Sequence, residues 1–160
     1  MISFEDLKKI YLLENLTDSM LGKMLPIIQL HLFGERAVIF KEGQKAEDFY
    51  MLLKGKMLLE VEVSETINIS VGSVKPGYSF GWSALFPGSS YTSYAVCVEP
   101  CEVFSIPGDR FLNLFEGDHT MGYRVMEGIV NIFKHRFERR TTQFLDAMRA
   151  HPDIQKLFST

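Results

Sequence analysis

The stretch from Gly77 to Val98, GYSFGWSALFPGSSYTSYAVCV, has the residue types and spacing of a turn that holds a phosphate. A glycine-bounded strand leads to a helical start at Ser83–Phe86, then to a Pro-Gly-Ser-Ser loop and a returning strand. Backbone N–H groups at such a helix start point at a bound anion. Yet these 22 residues contain six aromatic side chains and no charged one, in a chain that is 23% charged. The segment therefore predicts an anion-binding backbone without the cation that normally completes it.

No other set of residues predicts metal or catalytic chemistry. The two cysteines, Cys97 and Cys101, flank Pro100, and we expect them to pack as reduced thiols. The four histidines are scattered without the spacing of metal ligands, and no serine–histidine or paired-acid arrangement stands out. We therefore expect no metal, no catalytic residues and no enzymatic activity.

Composition narrows the class of protein. The 160 residues suit one domain, and a net charge of −3 with a pI near 5.8 argues against a general nucleic-acid binder. The chain has no apolar run long enough to cross a membrane. Its N-terminus, MISFEDLKK, lacks the pattern of a signal peptide, which favours the cytoplasm.

The elements that must position the uncharged segment are mostly short strands. Two helices come first, one with an apolar stripe from Phe4 to Leu13 behind a cap at Ser3, and one starting near Asp18. Alternating or buried apolar runs with turn signals every 8–12 residues then predict strands in an antiparallel sandwich or roll. These runs are Ala37–Phe40, Asp48–Leu53, Leu59–Val63, Ile67–Val71 and Cys101–Ile106.

The C-terminal part is predicted to be helical. A short helix containing Phe111 and Phe115 stops near Gly117, and a long helix runs from about Asp118 to Arg149. About 30 residues of helix would measure about 45 Å and overhang a domain of this size, so pairing with a second copy would bury its apolar face. The alternative is that the helix breaks near Arg139–Thr142 and packs back on its own roll. The predicted dimerisation residues are Met121, Val125, Ile129, Ile132 and Phe133, and the predicted divisions are 1–117, 118–149 and a tail, 150–160.

Three motifs occur in a fixed order along the chain. They are VIFKEGQ leading to DFYMLLKG (38–55), VKPGYSFG (74–81), and SALF (83–86) with Thr92 and a later Cys-Glu-Val. With the flanking helices, they resemble the cyclic nucleotide-binding domain family, the sensor part of catabolite-activator-type regulators. The resemblance covers about residues 1–145. It implies an α+β, mainly β architecture: an antiparallel β-roll (a jelly-roll-like double-stranded β-helix) with N-terminal helices and a long C-terminal dimerisation helix.

The resemblance also assigns the ligand-binding positions. In the family, a Glu after the Phe-Gly pair accepts from the ribose hydroxyl, and an Arg pairs with the phosphate. Here Trp82 stands at the Glu position and Tyr91 at the Arg position. Loss of one charged contact of about 1.5–3 kcal/mol weakens binding by about one to two decades. The implied positions are Phe80, Gly81, Trp82, Ser83, Ala84, Leu85, Tyr91 and Thr92.

Several interpretations stay open at this point. Arg136 on the long helix could supply the missing charge, or could belong to a solvated helix end. The aromatic residues could line a pocket for a neutral ligand or fill it. The chain is thus a homodimeric sensor for cyclic AMP, cyclic GMP or another small molecule with altered specificity, or a binding-incompetent interaction module. About ten residues follow the long helix, too few for a helix-turn-helix, which argues against DNA binding.

Overall fold

The computed structural model describes residues 1–159. It consists of two compact units, Met1–Val125 and the remainder of the chain. The first unit contains the N-terminal helices and all the strands, and the second contains most of the long helix.

Two short helices and a 3-10 turn open the chain. They are α1 (Phe4–Lys8), the 3-10 turn Tyr11–Leu13 and α2 (Asp18–Met24). The Ser3 hydroxyl accepts a hydrogen bond from the Asp6 N–H at 3.1 Å, as its position before the apolar stripe predicts. The stripe is buried at Leu7, Ile10 and Leu13.

The eight strands form two four-stranded antiparallel sheets, ordered β1-β8-β3-β6 and β2-β7-β4-β5. This confirms the predicted antiparallel β-roll, and each predicted strand is found within a few residues of its expected bounds. The strands are β1 (Gln29–Phe33), β2 (Val38–Phe40), β3 (Asp48–Lys54), β4 (Met57–Ser64), β5 (Ile67–Val74), β6 (Ser79–Phe80), β7 (Tyr94–Cys97) and β8 (Cys101–Pro107).

The core of the roll contains residues from both sheets. Gly55, in the turn between β3 and β4, has a φ of +96°, and a Cβ there would lie 2.5 Å from the Pro100 carbonyl oxygen. Only glycine fits, and this turn brings both sheets together at the two cysteines, which are buried and reduced. The fully buried members include Leu52, Met57, Phe80, Ala95 and Val103.

Three helices follow the strands: α3 (Gly108–Gly117), α4 (His119–Ala150) and α5 (Pro152–Phe158). Helix α4 is continuous through residues 139–142, so the alternative of a break there is wrong. Asp118 caps its start by accepting from the Met121 N–H at 3.0 Å, and Lys23 of α2 lies 2.7 Å from the same carboxylate. Helix α5 lies in the segment that the sequence left as a tail.

The predicted dimerisation residues do not form one exposed face. Met121 and Val125 are fully buried within the first unit, so they offer no surface to a second copy. Ile129 is also buried, whereas Phe133 is 38% exposed. Helical periodicity identifies an apolar face without telling which part of it the same chain covers. Dimerisation itself stays a prediction.

Candidate ligand site of the roll

The uncharged segment forms a tight turn beside the sheet edge. Strand β6 ends at Phe80, and Gly81 adopts the left-handed conformation with φ 73°. A 3-10 helix, Trp82–Leu85, follows, closed by a hydrogen bond from the Ala84 N–H to the Gly81 carbonyl at 3.1 Å. A Cβ on Gly81 would lie 3.0 Å from the Tyr50 ring, so glycine suits both the conformation and the space.

The start of α3 packs directly on this turn. A Cβ on Gly108 would lie 2.0 Å from the Ala84 carbonyl oxygen. The Gly108 N–H donates to the Glu47 carbonyl at 2.9 Å, just before β3. Glycine at this position therefore allows α3, β3 and the 3-10 helix to meet at one point.

Tyr91, at the position matched to the family's arginine, is directed into the protein. Its side chain is only 4% exposed. Its hydroxyl donates to the Asp48 carbonyl oxygen at 2.6 Å and accepts from the Asp48 N–H at 3.2 Å. The Tyr50 hydroxyl is close enough for the two tyrosines to influence each other's pKa. The side chain that would meet a phosphate is thus held by the protein's own backbone.

The Tyr91 hydroxyl bonds backbone groups of β3 that a neighbouring strand would otherwise bond. Strands β3 and β6 are paired at Tyr50↔Phe80 and Met51↔Ser79. The backbone N–H and C=O of Asp48, two residues before Tyr50, face the side on which β6 would pair if it continued. Strand β6 does not continue, because the chain turns away at left-handed Gly81. Because unpaired backbone groups at a partly buried edge are costly, the hydroxyl stabilises this end of β3.

An aromatic stack surrounds the same hydroxyl. The Tyr91 and Phe40 rings are stacked, with centroids 3.8 Å apart and planes at 13°. Phe40 lies 5.7 Å from Tyr50, and Tyr50 stacks on Phe80 at 5.2 Å. These four rings fill the interior of the roll next to the turn, and offset stacking adds to the free energy that their burial supplies.

Acidic side chains lie near the Asp48 end of the turn. Burial raises the pKa of Asp48, and the neighbouring carboxylates of Glu47 and Asp109 raise it further. Burial likewise raises the pKa of Tyr50 and of Tyr91. At neutral pH the two tyrosines, which we call the tyrosine pair, are therefore neutral hydrogen-bonding groups beside acidic ones.

The remaining predicted site residues are divided between core and surface. Trp82 is half-buried, and its ring meets Phe49 edge-on at 5.0 Å. Thr92 is exposed. Arg136 lies on α4 in the second unit, and its proposed role stays a prediction. Of the others, Ser83 is half-buried and Phe80, Ala84 and Leu85 are buried.

Sequence reasoning missed one polar pair. The His31 Nε2 and the Ser105 Oγ are 2.8 Å apart across the β1–β8 pairing, although 74 residues separate them in the chain. Only strand pairing could reveal this contact. Ser105 is 5% exposed and lies inside a strand paired on both sides. Its neighbouring N–H groups are used by the sheet, so they do not form the oxyanion site that acyl transfer requires.

Within residues 1–159, no group of three or more histidine, cysteine, aspartate or glutamate side chains is placed to hold a metal ion. The helices in the same range are all too short or too polar to cross a membrane.

Comparisons with known proteins agree with the antiparallel β-roll described above. The model of the family described as "Cyclic nucleotide-binding domain" matches residues 30–118, more than half of the chain. The chain belongs to the cyclic nucleotide-binding domain family. The match runs from β1 to the residue before α4, so it covers every strand described above except the first residue of β1.

Solved structures extend the comparison of this cyclic nucleotide-binding domain. A candidate cyclic nucleotide-binding protein of Geobacter metallireducens is 32% identical, with 86% of this chain and 99% of that one covered and a TM-score of 0.74. A cyclic nucleotide-binding domain of Methylobacillus flagellatus is 15% identical (92% and 83% covered, TM-score 0.77). The catabolite activator protein of Thermus thermophilus is 21% identical (86% and 62% covered, TM-score 0.70). No curated protein matches the chain.

Proposed function

We propose that this chain is a regulatory module of the cyclic nucleotide-binding type whose roll does not respond to cyclic nucleotides and which acts as a dimeric interaction platform. The position of Tyr91 is the observation that supports this best. In the family pattern this residue is an arginine that meets the phosphate, whereas here the side chain is 4% exposed and bonded to Asp48. A phosphate entering the turn would meet no cation from this position.

Charge near the turn acts in the same direction. The carboxylates of Glu47 and Asp109 are close enough to raise the pKa of Asp48. A cyclic phosphate would therefore approach carboxylates where the family pattern has a guanidinium, and like charges disfavour binding. The missing arginine removes an attraction for the phosphate, and the carboxylates add a repulsion. Both changes lower the affinity for a cyclic nucleotide.

The dimer would form through α4. Exposed apolar residues on this helix recur three, four or seven residues apart, as along a coiled-coil seam. They are Met126, Val130, Phe133, Phe137 and Phe144, which are 38%, 65%, 38%, 74% and 63% exposed. A second copy presenting the same stripe would cover them. Binding of a partner to the roll would then shift the conformational equilibrium of the paired helices.

A ligand titration tests this proposal. Trp82, the sole tryptophan, lies in the turn and reports on it directly. We expect cyclic AMP and cyclic GMP at millimolar concentration to leave its fluorescence unchanged and to release no heat in calorimetry. Saturable binding at micromolar concentration of either nucleotide would refute the proposal.

A second candidate function is a sensor for a different small molecule. The retained left-handed glycine and 3-10 helix favour it, because the turn keeps the glycine and helical start of the family motif. Half-buried Trp82 and exposed Thr92 would then contact an uncharged ligand. Screening neutral aromatic compounds by Trp82 fluorescence separates this candidate from the first, since only a sensor gives a saturable change.

A further inference from the structure

An arginine interrupts the exposed apolar stripe of α4. Met126 and Phe133 are seven residues apart, which is one coiled-coil repeat, and the same position in the next repeat is Arg140. The other apolar position of the repeat recurs at the same interval, as Val130, Phe137 and Phe144. Arg140 is exposed. A charged side chain therefore occupies a position at which a helix seam is normally apolar.

Arg136 adds a second positive charge one helical turn before Arg140. Side chains four residues apart are neighbours on the surface of a helix. Burial and the charge of Arg140 lower the pKa of Arg136, so the two guanidinium groups are close enough to repel each other. One stretch of the proposed seam thus has two like charges on each helix.

The sequence of α4 places no carboxylate beside these two arginines. The residues three and four positions away from either one are apolar, basic or amide side chains, namely Ile132, Phe133, Phe137, Arg139, Gln143 and Phe144. The nearest acidic residues are Glu138 and Asp146. Glu138 lies 4.0 Å from Lys134. Asp146 lies 3.4 Å from Arg149. Both carboxylates are therefore directed to other cations.

The proposed dimer would bring a second set of the same charges to this point. In a parallel two-fold pair of helices, equivalent seam positions lie next to each other, so Arg140 would face Arg140 of the second copy. The positions that flank the seam are often acidic on one helix and basic on the other. Here they are Lys134, Arg136, Thr141 and Gln143. Four guanidinium groups would then meet without a counter-charge.

We propose that a phosphate group with two negative charges binds between the paired helices at Arg140 and strengthens the dimer. The inference rests on the proposed dimer and adds a ligand to it. Guanidinium groups bind phosphate through two parallel N–H donors. Thr141 and Gln143 are exposed at the flanks of the seam, and their hydroxyl and amide groups supply further donors. This site is separate from the turn of the roll, because no residue of Gly81–Leu85 contributes to it.

Sedimentation equilibrium in sodium chloride and in sodium phosphate of equal ionic strength tests the site. A ligand that binds only the dimer lowers the dimer dissociation constant by about tenfold when its concentration is about ten times its own dissociation constant. We expect inorganic phosphate to produce at least this change. Arg140→Leu should give a tighter dimer in chloride, because the repulsion is removed and the seam becomes apolar. Its dissociation constant should not depend on phosphate.

Arg139→Leu is the matched control for the loss of charge. It removes one positive charge from the neighbouring exposed position, which lies outside the seam repeat. Phosphate should therefore still strengthen the dimer of this variant by about tenfold. If Arg139→Leu loses the phosphate effect as completely as Arg140→Leu does, phosphate acts on the overall charge of the helix, and the inference is wrong.

The outcomes separate this inference from the proposed function. A dimer with the same dissociation constant in both salts contradicts the phosphate site and leaves the proposed dimer standing. A monomer in both salts at all concentrations refutes both. If phosphate strengthens the Arg140→Leu dimer equally and changes Trp82 fluorescence, it binds in the roll, and the site on the helices is refuted.

Discussion

Replacing Tyr91 by phenylalanine isolates the contribution of one hydroxyl. The variant keeps the ring that stacks on Phe40 at 3.8 Å but loses the bonds of 2.6 Å and 3.2 Å to the Asp48 backbone. A hydrogen bond contributes about 0.5–1.5 kcal/mol, and a buried group without a partner costs about 1–3 kcal/mol. Because Asp48 is only half-buried, water would restore part of the loss, and we expect a decrease of about 2 kcal/mol in the free energy of unfolding.

Urea denaturation followed by Trp82 fluorescence measures this decrease. The same loss should lower the melting temperature by roughly 4–8 °C, given about 2–4 °C per kcal/mol for a chain of this size. Tyr123→Phe is the control, because Tyr123 is 69% exposed and its hydroxyl should contribute less than about 0.5 kcal/mol.

Two results would refute the reasoning about Tyr91. An unfolding free energy within about 0.5 kcal/mol of the unsubstituted protein, at an unchanged urea slope, would mean that the hydroxyl does not stabilise β3. Micromolar cyclic nucleotide binding by the phenylalanine variant alone would mean that the hydroxyl, and not the missing arginine, excludes the nucleotide.

Three further predictions concern pH and close packing. Burial raises the pKa of both tyrosines of the pair above the ordinary value of 10.0, so their contribution is complete below that pH and is lost as pH rises above it; above about pH 10 the unfolding free energy should fall more steeply than in the Tyr91→Phe variant. The hydrogen bond from Lys23 lowers the pKa of Asp118 below 3.8, so this carboxylate stabilises the fold above about pH 4 and stops doing so in acid; Asp118→Asn should flatten the acid limb of the unfolding curve. Gly108→Ala should cost about 1–3 kcal/mol in urea unfolding because its Cβ would overlap the Ala84 carbonyl, whereas Gly117→Ala on the same helix has open space and should cost far less.

The strands were predictable because their patterns are local. Alternation in β4 and β5, the buried run of β3 and the glycine turns between them each involve fewer than ten residues, and a period of two indicates a strand directly. The order of motifs then indicated the roll. The alternation of apolar residues in β4 and β5 correctly predicted two strands. It did not predict that Val63 and Ile67, at the outer end of the hairpin, would be exposed.

The position of the candidate site in the chain was predictable, but the direction of its side chains was only partly so. Gly81 and the helical start after it follow from the motif, whereas the direction of the Tyr91 side chain depends on Asp48, 43 residues away. The same limit applies to Met121 and Val125, whose apolar spacing was correct and whose side chains are buried within the first unit. Contacts between distant segments, such as that of His31 with Ser105, leave no local signal in a single sequence.

Because the Tyr91 hydroxyl bonds the end of β3, stability limits which residues position 91 can hold. Placing an arginine at position 91 would remove the group that closes the end of β3 and would place a guanidinium beside Phe40 in the core. An arginine at position 91 would therefore lower the stability of the fold, whatever it did for the affinity for a phosphate. A second substitution that gives the Asp48 backbone groups new hydrogen-bond partners would offset part of that loss, so position 91 and the end of β3 constrain each other.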